Sequence, residues 1–365
     1  MKHSTILNIS LFTLIGMSGA NAATNAHIFS NSIVAHSIAS TQHTIIQNAF
    51  DLFSGSTRST TFSSMQHTDQ PPTHPTATYG RAPMYGSAPM YGEFNDDGRA
   101  GRSGGDTFNA NAALSNIWIN WQHLGDSITF DNFAHLDSNI NIYTLGLAGG
   151  QSKIADTLSK WGIYTGFINS EQHNPEIAID SQGGYLGIYN GNTFGNFGLY
   201  ATLNGGVLNN STDTIHGTDE HSTFWAGGAI HAKYDVALDR TLTLQPGLTM
   251  GYTWIHGEDN TSASGDILKN DTFGMFEVTP ALRMIKHVSN NWFGALNLRY
   301  VMIFDNGGDT TVNSNPFTSP ESGNFVEYTI SLEKSVANFN ISANLGRRDS
   351  NHFGWIGNIN IKYIF

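Results

Sequence analysis

The sequence predicts an all-β protein, a transmembrane barrel of about twelve antiparallel strands. Composition is the first reason: only 13% of the 365 residues are charged, 12% are aromatic and 39 are glycine. An average soluble domain has about 25% charged residues. So many aromatic side chains need a surface to cover them, which excludes simple disorder. The net charge of −12 argues against a nucleic-acid partner, and the lack of cysteine excludes disulfides, thiol catalysis and thiolate metal sites.

The chain begins with the pattern of an export signal. A basic start at Lys2 precedes an apolar run, Ile6–Met17, which is too short to span a membrane as a helix. Ala20 and Ala22 then form a small-x-small motif, so we expect cleavage before Ala23. No later segment contains about 18 consecutive apolar residues, so the sequence predicts no transmembrane helix. A mature protein that sits in a membrane must therefore span it as a closed barrel.

Strict alternation of apolar and polar residues is the second reason. From Thr241 to Trp254, Leu248, Met250 and Tyr252 share one parity while small or polar residues take the other. Side chains alternate between the two faces of a strand, so this pattern predicts one apolar and one polar face. The predicted strands are Ile117–His123, Ile140–Gly149, Lys160–Ile168, Gly184–Tyr189, Asn196–Val207, Thr223–Val236, Thr241–Trp254, Phe276–Met284, Ala295–Phe304, Val326–Glu333, Phe339–Gly346 and Phe353–Phe365.

The third reason is that long and short connections alternate, as they do in outer-membrane barrels. The odd connections are Leu124–Asn139, Asn169–Gly183, Leu208–Ser222, His256–Asp271, Asp305–Asn324 and a short Arg347–His352. The even connections are Gly150–Ser159, of middling length, and the short Asn190–Gly195, Ala237–Arg240, Ile285–Asn291 and Lys334–Asn338. This alternation predicts both termini in the periplasm and the long loops outside. Pro246 and Pro280 interrupt two strands, so we expect a bulge or a rim position at each.

A soluble β-sandwich is the structural alternative. It would not place charges repeatedly on the parity opposite a continuous apolar face. We expect these charged residues to face the lumen and to pair with each other or with a threaded segment, because unpaired charges in a narrow lumen are costly. They are Glu277, Arg283, Arg299, Glu327, Glu333 and Lys362.

The C-terminal part, roughly residues 106–365, resembles the translocator β-domain of type V autotransporters. Ile361, Tyr363 and Phe365 end the chain as outer-membrane barrels end, with the alternating signal that the barrel-insertion machinery reads. The other matching stretches are Asn116–Trp121, Gly187–Tyr189, Gly198–Ala201 and Leu244–Leu248.

The resemblance implies an outer-membrane protein of a Gram-negative bacterium that exports or displays its own N-terminal segment at the cell surface. Its partners would be outer-membrane lipid, the insertion machinery and periplasmic chaperones. The resemblance allows a host or surface ligand, and the sequence does not identify it.

The segment between signal and barrel is short for this family. The implied division is a signal peptide (1–22), a helical segment (23–53), a linker or short passenger (54–105) and the barrel (106–365). The helix is predicted from a stripe at steps of three and four: Val34, Ile38, Thr41, Ile45, Asn48 and Leu52. In the family such a helix threads the pore. A membrane-surface helix and a partner-binding helix are the alternatives.

Residues 54–105 are rich in Ser, Thr, Pro and Gly and contain the tandem repeat Ala82–Gly86 and Ala88–Gly92. Two copies are too few for a solenoid, so the segment is a flexible linker or a short exposed adhesive tract.

The sequence shows no catalytic, cofactor or metal motif. The 15 histidines are scattered, and the runs Asp219–His221 and His256–Asp259 are explained as acidic loops. We therefore expect a non-enzymatic translocator. A porin-like channel or a structural outer-membrane protein without a passenger is the alternative, and an outer-membrane hydrolase is a further one.

Overall fold

The structure is a computed structural model. It describes residues 35, 38–46, 114–129, 135–149, 152–154, 157–173, 177–214, 217–262, 265–289, 291–317 and 323–365.

Twelve long strands form a closed antiparallel barrel. Each strand pairs with its neighbours in the chain, and the last strand returns to the first, from Asn116 opposite Ile364 to Ile128 opposite His352. The predicted strand number and the closure are thus confirmed. The strands are β1 (Asn116–Thr129), β2 (His135–Ala148), β3 (Thr157–His173), β4 (Ala178–Phe194), β5 (Phe197–Thr214), β6 (Gly217–Tyr234), β7 (Leu242–Ile255), β8 (Phe273–Ser289), β9 (Trp292–Gly307), β10 (Phe325–Val336), β11 (Phe339–Ser350) and β12 (His352–Ile364).

The predicted alternation divides each strand between an outer apolar face and a lumen face. Leu298 on β9 is 52% exposed, whereas its neighbour Asn297 is 7% exposed. On β7, Met250 is exposed and Thr249 and Thr253 are buried. Exposure of this apolar outer face to water would be unfavourable, so the surface is suited to a lipid bilayer.

Three predicted long loops are largely strand. β1 continues to Thr129 and β2 begins at His135, so the expected loop Leu124–Asn139 is mostly a hairpin. Asn169–Gly183 and Leu208–Ser222 are likewise continuations of β3–β4 and β5–β6. The outward residues are polar there, and several inward residues are apolar, such as Leu124, Ile128 and Leu136. The apolar residues therefore change parity although the ladder of hydrogen bonds continues.

The two remaining long connections, after β7 and after β9, form a small sheet of their own. Its four short strands are Asn260–Thr261, Ile267–Asn270, Thr310–Val312 and Asn315–Phe317. Leu268 pairs with Val312 across the two connections.

The turns at the opposite end are tight. The β4–β5 turn has only Gly195 and Asn196 between the strands, with Gly195 at φ 57°. In the β6–β7 turn, Asp239 Oδ1 accepts hydrogen bonds from the backbone N–H groups of Thr241 at 2.6 Å and Leu242 at 2.9 Å. These bonds stabilise the carboxylate and lower the pKa of Asp239.

Each proline interrupts the ladder on one side of its strand. Pro246 lies in the first half of β7, where the ladder to the preceding chain stops at the Lys233–Gly247 pair and resumes in the same register at Val236–Leu244. The expectation of a bulge or a rim position is wrong for Pro280, which is at neither. It pairs with Leu248 of β7, while the β8–β9 ladder omits it and resumes in the same register at Ala281. Proline has no N–H, so only the ladder on one side is interrupted.

Aromatic side chains on β1 and β3–β6 line the lumen and lie against glycines of neighbouring strands. A Cβ atom added to Gly166 would lie 2.3 Å from the Tyr185 ring, and one added to Gly187 would lie 2.3 Å from the Tyr164 ring. Several of the rings also contact each other: Tyr164 stacks on Tyr189 with centroids 6.3 Å apart and meets Tyr185 edge-on at 6.2 Å. The buried members are Trp118, Tyr164, Tyr185, Tyr189, Tyr200 and Trp225.

Candidate functional site: a helix in the barrel lumen

A short helix, α1 (residues 38–46, with residue 35 also helical), lies inside the barrel. The stripe residues Ile38, Thr41 and Ile45 are buried, as predicted, but Gln42 and Ile46 off the stripe are equally buried. A helix is covered on all sides only when other elements surround it, and here the barrel wall does so. The remaining stripe residues, Val34, Asn48 and Leu52, lie outside the described part of the chain. No helix among the described residues is long and apolar enough to cross a membrane.

Polar residues of α1 make hydrogen bonds to strands on different sides of the wall. Gln42 Nε2 donates to Asn204 Oδ1 on β5 at 3.1 Å. Thr44 Oγ1 donates to Gln122 Oε1 on β1 at 2.9 Å, and Gln122 Nε2 donates to Ser40 Oγ at 2.7 Å. Each of these groups is buried, so an unmade bond would leave a desolvated polar atom.

A close contact also joins the helix to β8. His43 Nε2 lies 2.5 Å from Glu277 Oε1. The Thr279 hydroxyl donates to the same Oε1 at 2.7 Å. Glu277, predicted as a lumen charge that pairs with another lumen charge or with a threaded segment, therefore meets the helix.

A buried network of charges surrounds Arg348 at the wall. Its guanidinium binds Asp126 on β1 and, from Nε at 3.1 Å, Glu327 Oε2 on β10. Glu327 also binds Arg299 on β9. Arg348 Nη2 lies 3.4 Å from Ser40 Oγ, so the network reaches the helix. Buried charges are tolerated only when paired in this way.

The other predicted lumen charges also lie on the inner face. Glu333 accepts a hydrogen bond from Asn340 at 2.9 Å, and Lys362 is buried. Arg283 lines a cavity beside the helix. Asp126 and Arg348 were missed because they fall in the predicted connections Leu124–Asn139 and Arg347–His352. The alternation that continues through Asp126 in β1 was the available signal.

The cavity and the charge network show which way the helix points. The cavity contains His43 and Ile46 with Lys233 and Gln245, which lie near the end of the barrel that carries the chain's C-terminus. Ser40 instead contacts Arg348, two residues from the opposite end of β11. The N-terminal end of α1 is therefore directed toward the end with the long connections.

The acidic and histidine-containing runs lie on separate elements. Asp219 and His221 belong to the outer part of β6, where the His221 ring contacts Asn210 at 3.2 Å. His256 follows β7 and packs against the Trp254 ring. Across the described ranges, no group of three metal-ligating side chains is present.

The C-terminal residues lie on the outer face. Ile361 and Phe365 are exposed, and the Tyr363 ring packs between Phe339, at 5.0 Å, and Phe365, at 5.3 Å. The predicted cleavage site at Ala20, Ala22 and Ala23 is outside the described residues and stays a prediction.

Comparison with known proteins gives the fold. The sequence matches no family profile and no curated protein. Among solved structures, the barrel is similar to the β-domain of the Bordetella autotransporter BrkA, with TM-score 0.60, 14% identity, and coverage of 69% of this chain and 100% of that one.

Two further solved structures, both from autotransporters, have a similar fold. The transport unit of the autotransporter AIDA-I from Escherichia coli has TM-score 0.58 and 14% identity, covering 71% and 92% of the two chains. The translocator domain of the autotransporter NalP from Neisseria meningitidis has TM-score 0.55 and 16% identity, covering 70% and 90%. The chain thus has the fold of autotransporter translocator domains, an outer-membrane barrel of twelve strands closed around its lumen.

Proposed function

We propose that this barrel anchors the chain in the outer membrane and displays the mature N-terminal end at the cell surface, with α1 as the plug that holds it in the pore. The observation that carries the proposal is the fit of α1. Its Ser40, Gln42, His43 and Thr44 each contact a wall side chain, and together these wall residues come from β1, β5, β8 and β11. A channel with no exported segment has no need of such a matched lining.

The direction of α1 supports export through the lumen. If both termini of the barrel face the periplasm, the N-terminal end of α1 faces outside. The residues that precede the helix, from Ala23, are then the displayed part. The division into residues 23–53 and 54–105 remains part of this proposal, as does assembly by the insertion machinery.

Conductance in planar bilayers tests the plug. The full chain is expected to conduct weakly, and deletion of residues 31–53 should raise the single-channel conductance severalfold, because the lumen loses its occupant. Deletion of residues 54–105, which keeps the helix, is the matched control and should leave conductance low. High conductance of the full chain would reject the plug and support the porin-like alternative.

Epitope tags test display. A tag after Thr24 should be stained on intact cells, and a tag after Ala237, in the β6–β7 turn, should be stained only after permeabilisation. A third tag, after Gly86, shows separately whether the predicted linker or passenger, Ser54–Gly105, is exposed at the cell surface. Staining of the Thr24 tag alone would restrict display to the residues ahead of the helix. Staining of neither N-terminal tag would reject display.

A further inference from the structure

We propose that Arg347, on the lipid-facing side of β11, forms a binding site for the phosphate group of a lipid in the outer leaflet. Arg347 has the same parity as Leu345, which is 60% exposed, and the opposite parity from the buried Arg348. Charge on this face is costly at the membrane midplane and tolerated only toward the interface. An arginine at this position therefore calls for an explanation.

The site is a row of side chains across three strands. Arg347 lies directly opposite Tyr328 of β10 on one side and Trp355 of β12 on the other. Its guanidinium carbon is 4.5 Å from the centre of the Phe353 ring and 5.6 Å from that of Trp355. These rings form a cation–π platform that holds the guanidinium against the barrel surface.

The row lies near the rim of the barrel. Tyr328, Arg347 and Trp355 are each three residues from the end of their strand. At 3.3 Å per residue this is about 10 Å along the strand. Aromatic residues of outer-membrane barrels concentrate at this level, where lipid headgroups begin.

The guanidinium keeps hydrogen-bonding capacity for a ligand. The nearest carboxylate oxygen, Oδ1 of Asp349, is 3.9 Å from Arg347 Nη2, which is too long for a hydrogen bond. The other oxygen of Asp349 accepts a bond from the Tyr328 hydroxyl at 2.9 Å. Arg347 Nε is buried, so the terminal Nη groups of this side chain, which is 32% exposed, are the donors left for a ligand. A phosphate offers oxygens in the geometry that a guanidinium binds in pairs.

The surroundings favour a lipid phosphate over a free one. The Asp349 carboxylate opposes any phosphate at this site, so a ligand needs a further source of binding energy. Phe353 and Trp355 are about half exposed on the lipid face, at 50% and 54%. Acyl chains packed against these rings would supply the binding energy that an inorganic anion lacks. The choice of leaflet rests on the orientation proposed above, whereas the chemistry of the site does not.

Native mass spectrometry of the full-length barrel tests the site. The probes are diphosphorylated lipid A, the same lipid A with both phosphates removed, and inorganic phosphate as a competitor. The wild-type protein should retain diphosphorylated lipid A, and Arg347→Gln should weaken its binding about tenfold, the effect of one charged hydrogen bond. Arg347→Lys should bind with intermediate affinity, because lysine keeps the charge but not the paired donors.

The matched control is Lys334→Gln. Lys334 also lies over an aromatic ring, that of Trp292 at 4.6 Å, but at the opposite end of the barrel. Its loss should leave binding unchanged. Equal binding by wild type and a folded, heat-modifiable Arg347→Gln variant would overturn the proposal. So would equal retention of the dephosphorylated lipid. Displacement by millimolar inorganic phosphate would overturn the lipid assignment in favour of a free-anion site.

Discussion

At the scale of single residues, the lumen is organised by charge pairing around Arg348. Asp126, Glu327 and Arg299 are all less than 9% exposed, and each has an oppositely charged partner. Arg348 on β11 connects the Glu327 carboxylate on the adjacent β10 with the Asp126 carboxylate on β1, which lies beyond β12. Its removal would leave two buried acceptors short of a donor.

Arg348→Met should therefore destabilise the barrel by about 3–5 kcal/mol, the usual cost of removing one partner of a buried ion pair. Urea unfolding in lipid vesicles would measure it. Arg240→Met, at an exposed position in the β6–β7 turn, is the control and should change stability by less than about 0.5 kcal/mol. If Asp126→Asn is added to Arg348→Met, part of the loss should be recovered. A loss no larger than that of the control would mean that water already solvates these carboxylates.

At the scale of elements, neighbouring strands are locked by aromatic rings that occupy the space above glycines. Gly166 on β3 is the clearest case. A Cβ atom there would lie 2.3 Å from both the Tyr185 ring and the backbone oxygen of Tyr143. The glycine therefore permits the ring to lie flat between two strands, where its hydroxyl reaches Thr144 at 2.5 Å.

Gly166→Ala should displace the Tyr185 ring or the β2–β3 ladder and cost about 1–3 kcal/mol, as overpacking does. The melting temperature of the heat-modifiable band on gels would report the change. Gly184→Ala is the matched control on the adjacent strand, because its Cβ would have no neighbour closer than 3.7 Å. The packing role of the aromatic rings would be refuted by two variants of equal stability.

At the scale of the whole molecule, barrel closure depends on the pairing of the last strand with the first. The backbone N–H of Phe365 donates to Ser115 O at 3.2 Å, yet its side chain is 67% exposed. The ring adds little to packing within the folded barrel. We propose that the aromatic residue acts in assembly, where the insertion machinery would recognise it.

Phe365→Asp, and deletion of Phe365, should leave the protein in the periplasm in a form whose gel mobility does not change with heating. Phe194→Asp is the control, since Phe194 is an exposed aromatic at the same end of the barrel, in the β4–β5 hairpin. It should insert normally. Membrane fractionation measures both variants, and normal insertion of the two Phe365 variants would show that the terminal aromatic is dispensable.

Several residues of the site could be predicted from the sequence. Glu277, Arg299 and Glu327 were placed in the lumen by parity alone, and the helix was predicted by its three-four spacing. Arg299 and Glu327 lie directly opposite each other on adjacent strands and pair as expected, but the more distant partners were not predicted. Asp126 and Arg348 are 222 residues apart, and His43 and Glu277 are 234 apart. No local pattern encodes such a pair, because it arises only when the barrel closes and the helix enters it.

Alternation along the chain is enough to specify strands with one apolar and one polar face. Alternation has a period of two residues and is local, so the fold class, the strand number and the inward charges follow from it. The tertiary structure alone decided where the strands end and what fills the lumen. Toward the end with the long connections the outward residues become polar, while inward ones such as Leu124, Ile128 and Leu136 are apolar and buried. The apolar residues change parity there, while the hydrogen-bonded ladder continues. In the lumen, α1 is buried on every side, so its polar residues are as constrained as its apolar ones, and only the surrounding wall shows why.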